Sequence, residues 1–184
     1  MKDDDLYTLP EDLPVPEDDG AADHLPGSRL PAVPLAASDG SDVTLAELAG
    51  RSVVFAYPRT GRPGESSLGG DEFWNSIPGA RGCTPQACAI RDGHARFDAL
   101  GVRVFGLSTQ TPDDQREAAE RLQLPYPLLS DPAAALGLPT FEVEGVTLYK
   151  RLTLIVRDGV VEEALYPVFP PDQAAEQALA RLGP

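Results

Sequence analysis

Positive charge is scarce in this sequence: 15 Lys and Arg stand against 29 Asp and Glu, a formal net charge of −14 over 184 residues. Such a polyanion repels nucleic acid and anionic membrane surfaces, which argues against both as partners. Long apolar runs are missing as well. No window approaches the length of a membrane span, and the first residues are acidic and lack the apolar stretch of a secretory signal. A cytoplasmic protein is therefore expected. Histidine is limited to His24 and His94, and cysteine to Cys83 and Cys88. A structural zinc ion needs four such ligands, and these two histidines fall in an arm and in mid-helix, so no metal or other cofactor is expected. Two cysteines in a reducing compartment are more often reactive or metal-binding than a permanent staple. There is no internal repeat.

What is present is enough for one domain with a real core. Residues 1–27 hold nine acids and one base, and Pro10, Pro14, Pro16 and Pro26 deny them a helix or a central strand. They read as a solvated acidic arm, although Leu6, Tyr7, Leu9, Leu13 and Val15 give it a means of pinning itself to the domain over 28–184 or to a second subunit. Within that domain an edge strand is expected at Leu30 to Leu35, then a turn at Asp39-Gly40 and a short helix Leu45 to Leu48 capped by Thr44. Ser52 to Tyr57 suits a buried central strand. Residues 59–82 show no helical or strand period and read as a long functional loop. Beyond them a helix from about Pro85 to Leu100, a strand Val102 to Leu107 and a helix Pro112 to Leu122 with Thr111 as N-cap follow. Next come a short strand Pro127 to Leu129 and a short helix Pro132 to Leu136. A hairpin, Leu152 to Val156 with Val160 to Leu165, turns at Arg157-Asp158-Gly159, and a last helix spans Pro171 to Leu182. That order is the order of a thioredoxin-like α/β domain, with a central mixed sheet flanked by helices.

The cysteines lie in Arg81-Gly-Cys-Thr-Pro-Gln-Ala-Cys-Ala-Ile-Arg-Asp92. Thr84 and Pro85 favour a helix start, which puts Cys83 at or just before the first turn. Unpaired N–H groups and the helix dipole there favour a thiolate, the reactive form of the side chain, and Arg81 adds to the effect. Five residues of helix advance about 7.5 Å. A disulfide requires Cα atoms within about 7 Å, so a bond between Cys83 and Cys88 needs the first turns to unwind. Such a rearrangement suits a catalytic cycle better than a staple. On spacing alone, two inert core cysteines remain an alternative.

At these residues the sequence resembles the peroxiredoxin family, in particular its bacterioferritin-comigratory or Q-type branch. The resemblance rests on Tyr57-Pro58, Gly82-Cys83-Thr84, Ala87-Cys88 and Arg91-Asp92, then on Leu128-Leu-Ser-Asp131 and Arg151-Leu-Thr-Leu-Ile155, and runs from about Leu30 to Leu182. It implies a thioredoxin-like fold and thiol-dependent reduction of hydrogen peroxide or organic hydroperoxides. By the same resemblance Cys83 is the peroxidatic cysteine and Cys88 the resolving one, closing an intramolecular disulfide. Arg151, which alone would pass for a surface arginine, holds the thiolate and polarises the peroxide. The partners implied are a peroxide and a thiol reductant such as thioredoxin or glutaredoxin, acting on a monomer or weak homodimer.

One departure stands out. The family places Thr or Ser three residues before the peroxidatic cysteine and proline four earlier, where this sequence has Ala80 and Ser76. About eighteen extra residues separate Pro58 from the motif, so Thr60 becomes the candidate for the missing hydroxyl, provided the insert loops out. The insert, with Phe73, Trp74 and Ile77, reads as a lid, a docking surface or packed decoration. Two other activities stay open: a thiol–disulfide oxidoreductase, because Leu138-Pro139-Thr140 imitates that group's cis-proline signature, and a redox sensor or non-catalytic binding module.

Overall fold

The computed structural model describes residues 3–183; Met1, Lys2 and Pro184, at the outer ends of the expected arm and domain, lie outside it. Nine strands and four α-helices are found among the described residues. They are β1 (Leu35–Ala37), β2 (Asp42–Val43), β3 (Arg51–Ala56), α1 (Asp71–Ser76), α2 (Cys83–Ala99), β4 (Arg103–Ser108), α3 (Pro112–Arg121), β5 (Leu128–Ser130), β6 (Thr140–Val143), β7 (Val146–Tyr149), β8 (Leu152–Arg157), β9 (Val160–Leu165) and α4 (Ala174–Leu182). Seven strands form one mixed sheet in the order β2-β1-β5-β4-β3-β8-β9, while β6 and β7 pair separately. The expected thioredoxin-like arrangement is thus present.

The sheet takes this form because β3 has no polar face to offer water. Val53, Val54 and Phe55 are fully buried, so the strand sits centrally, parallel to β4 and antiparallel to β8. On one side Phe55 meets Phe97 of α2 edge-on, with ring centroids 6.0 Å apart, and Ile90 and Ala178 fill the same layer. On the other side Val54 and Leu154 pack with Leu45, Tyr149 and Leu25, the last of these from the arm. Thr111 caps α3 as expected, its hydroxyl accepting from the Asp114 N–H at 3.2 Å.

Four expectations about the domain are corrected, and one hairpin is added to them. Pro31 and Pro34 lack the N–H a ladder needs, so the edge strand starts only at Leu35. The segment after Thr44 is a single 3-10 turn, Leu45–Glu47, and the threonine side chain makes no cap bond. Residues 59–82 are not without regular structure: they hold α1, too short at six residues to show a period. No helix forms after Pro132. Instead the Asp131 carboxylate accepts from the N–H groups of Ala135 and Leu136 at 2.9 and 3.1 Å, holding a turn. The β6–β7 hairpin was not foreseen; Glu144 and Gly145, both at positive φ, make its turn.

The arm is the largest correction. It lies against the domain, with Leu6, Ala22 and Leu25 buried, and is not a solvated tail. Lys150 Nζ is 2.6 Å from the Asp19 carboxylate, and the Tyr166 hydroxyl donates to the same group at 2.8 Å. The hydrogen bonds from Lys150 and then Tyr166 hold Asp19 down at about 2. Tyr7 and Val15, two of the five apolar arm residues, remain exposed.

Candidate active site

Cys83 is the first residue of α2 and is only 4 % exposed. The helix therefore starts two residues earlier than expected, and its N-cap is Gly82 in the left-handed region at φ 105°, not Thr84. Only glycine serves there. Besides the strained φ, a Cβ would stand 2.7 Å from both Leu9 of the arm and Pro171 of the 3-10 turn before α4. At the first position of the helix Cys83 sits where the helix dipole favours negative charge, and its thiol lies 3.7 Å from the Ala80 carbonyl.

Arg151 enters from the start of β8 and is buried, at 3 % exposure. Its Nη2 donates to Cys83 Sγ at 3.2 Å and to the carbonyls of Ala80 and Arg81 at 3.1 and 3.2 Å. Its Nη1 donates to Gln86 Oε1. A buried guanidinium held by three acceptors cannot swing away, so it presents a fixed cation to the sulfur. Arg81, expected to assist Cys83, lines the same cavity as Cys83 and donates to the carbonyls of Asp5 and Thr8 in the arm. Gln86 was missed by sequence reasoning; its place one turn after Cys83 and near an incoming arginine was the available signal.

Thr60 lines the same small cavity as Cys83, together with Arg59, Gln110, Trp74 and Leu6. Gln110 fixes it from three directions. Its Oε1 accepts from the Thr60 N–H at 2.9 Å and hydroxyl at 3.1 Å, while its Nε2 donates to the Thr60 carbonyl at 3.2 Å. The insert loops out, as that placement required. Nearby, burial pushes the Tyr57 phenol up despite its hydrogen bond to Gln115, so it stays neutral.

Cys88 lies half-buried in the intact helix, and both cysteines are free thiols. Burial pushes the Cys88 thiol up, with Arg91 opposing and Asp92 reinforcing the shift. In a Cys83→Ser chain, alkylation of Cys88 is expected to reach its half-maximal rate at a pH above that of a small free thiol. A profile at or below the free thiol would count against this setting. Of the two histidines, His24 is exposed and His94 lies 3.2 Å from Asp98 and stacks on Tyr126. Pro139 is not a cis-proline: the cis bonds precede Pro167 and Pro170, and Pro139 leads into the separate β6–β7 hairpin.

Residues 25–179 match the Redoxin family. The chain belongs to it. Within that family its relatives place it on the peroxiredoxin Q branch. A chloroplastic peroxiredoxin Q of Gentiana triflora is 29% identical over 95% of this chain and 76% of its own length. That of Suaeda salsa is 29% identical over 83% of this chain and 65% of its own length. Among solved structures, peroxidoxin BcpB of Mycobacterium tuberculosis superposes with a TM-score of 0.66 at 27% identity, covering 86% of this chain and 97% of that one. The bacterioferritin comigratory protein of Xanthomonas campestris, at 22% identity and a TM-score of 0.62, shares the fold. This peroxiredoxin is a thiol-dependent peroxidase, an oxidoreductase that acts on peroxides at the expense of a thiol reductant. Among its described residues no helix is long and apolar enough to cross a membrane.

Proposed function

We propose that Cys83 is the peroxidatic cysteine, Cys88 the resolving cysteine, Arg151 the group that holds the thiolate and polarises the peroxide, and Thr60 the hydroxyl that orients it. The observation that carries this reading is the 3.2 Å contact from Arg151 Nη2 to Cys83 Sγ at the first turn of α2. The Cys83 thiolate attacks the terminal oxygen of ROOH, an S–O bond forms as the O–O bond breaks, and RO⁻ leaves to take a proton as ROH. Arg151 donates to the oxygens as charge shifts between them, and the Thr60 hydroxyl, its proton given to Gln110, accepts from the peroxide O–H. The sulfenic acid on Cys83 then condenses with the Cys88 thiol, releasing water and leaving a disulfide. That second step requires the first turns of α2 to unwind, which means releasing Gly82 from between Leu9 and Pro171.

A dithiol protein such as thioredoxin or glutaredoxin would reduce the disulfide in a cytoplasmic, reducing setting, with the chain working as a monomer or weak homodimer. The unit over 28–184 carries the chemistry, and of the arm over 1–27 the described residues fold against it. The first test is intact mass after a small excess of hydrogen peroxide is added to the reduced chain. Rapid loss of two hydrogens, as one internal disulfide, is expected. Oxidation no faster than that of a free cysteine would overturn the peroxidase chemistry at Cys83.

Thr60 has its own test. Thr60→Val keeps the shape and removes the hydroxyl, so the rate of Cys83 oxidation should fall by about tenfold, the scale of losing one hydrogen bond to the reacting group. Thr60→Ser should restore most of it, and equal rates in the Val and Ser chains would remove Thr60 from the site.

A further inference from the structure

The cavity beside Cys83 is small. Its volume is about 40 Å³, which holds only about three waters at ~10–15 Å³ each. None of its lining residues lies in a strand of the central sheet. Leu6, from the arm, and Trp74, from α1 in the insert, are 4 % and 5 % exposed, and both face the space that Cys83 and Thr60 line.

Both walls are anchored independently of each other. The arm is held by Arg81, which donates to the carbonyls of Asp5 and Thr8 on either side of Leu6. Leu6 itself rests on Gly61, where a Cβ would come within 2.7 Å of its Cδ2. Trp74 is wedged in a separate apolar cluster with Ala80, Val143 and Leu148, so the β6–β7 hairpin backs it. The Asp71 carboxylate, accepting from the Ser67 N–H at 2.7 Å, fixes the start of its helix.

We propose that Leu6 and Trp74 make the peroxide cavity size-selective, admitting hydrogen peroxide and other compact hydroperoxides and holding back those with a bulky organic group. A compact peroxide fits between Thr60 and Cys83 with both walls in place. A hydroperoxide carrying an aryl group reaches the sulfur only when the arm or α1 is displaced, and the anchors above oppose that. The selectivity rests on the peroxidase assignment of Cys83 and adds the residues that decide which peroxides arrive.

The test compares second-order rates of Cys83 oxidation by hydrogen peroxide and by cumene hydroperoxide in the full chain, in Leu6→Ala and in Trp74→Leu. The full chain should favour hydrogen peroxide by about a hundredfold, and each variant should narrow that ratio by about tenfold, the range a shaped pocket can discriminate. The two variants act from different elements, and circular dichroism identifies any that fails to fold. Comparable rates for the two peroxides in the full chain, or an unchanged ratio in the folded variants, would overturn the size selection alone. Slow oxidation by both peroxides would instead overturn the peroxidase assignment on which it rests.

Discussion

Replacing Cys83 with serine is expected to end peroxide turnover, a loss of about a thousandfold or more, on the scale of deleting a catalytic nucleophile. Serine keeps the size of the side chain and its place at the start of α2, but a hydroxyl is not ionised there and does not attack the O–O bond. The matching change at the other cysteine separates the two roles. Cys88→Ser should leave the first oxidation at its full rate and stall the next cycle. The chain should then gain one oxygen in mass, as a sulfenic acid, with no disulfide formed. Single-turnover oxidation read by mass distinguishes the outcomes, and equal loss of the first oxidation in both variants would contradict the assignment.

The second large effect is expected at Arg151. Arg151→Ala removes the only side chain recorded as donating to the Cys83 sulfur among the described residues. The rate of Cys83 oxidation should fall by about a hundred- to a thousandfold, comparable to losing a preorganised donor in a buried site. Stability should fall too. The carbonyls of Ala80 and Arg81 and the Gln86 Oε1 each lose a donor, at about 1–3 kcal/mol for each one left unpaired. Arg151→Lys separates charge from geometry. An ammonium brings the charge but not the planar fork that reaches the sulfur and both carbonyls together. It should therefore recover only part of the rate, read as the second-order constant for hydrogen peroxide alongside a thermal melt. Full recovery with lysine would show that the positive charge alone is sufficient.

The sequence was most informative where one physical demand dominated. The apolar run through Val53, Val54 and Phe55 could only be a central strand, and Thr111 followed by Pro112 could only open a helix. Cys83 was legible because its helix start is written into the neighbouring residues. Thr60 was reached by asking which hydroxyl could stand in for the one missing before Cys83. Contacts across long separations were illegible. Nothing local to Gln86 or Gln110 says that one meets Arg151 and the other Thr60. The arm misled for a related reason: its charge describes its outward face, whereas the buried Leu6 and the backbone carbonyls that hold Arg81 carry no compositional mark. The β6–β7 hairpin was hidden because Glu144-Gly145 is a weaker turn signal than Asn-Gly or Asp-Gly.

Gly82 has a consequence for timing. It is pressed between Leu9 and Pro171, so on the roles proposed above two distant parts of the chain grip the residue that must move when Cys83 travels to Cys88. The tighter that grip, the longer a freshly oxidised Cys83 waits for its partner. During the wait a second peroxide can reach the same sulfur and carry it to the sulfinic state, from which ordinary thiols do not recover it. Under those proposed roles the clasp sets a threshold of peroxide flux: below it each molecule recycles, and above it molecules drop out of service one by one.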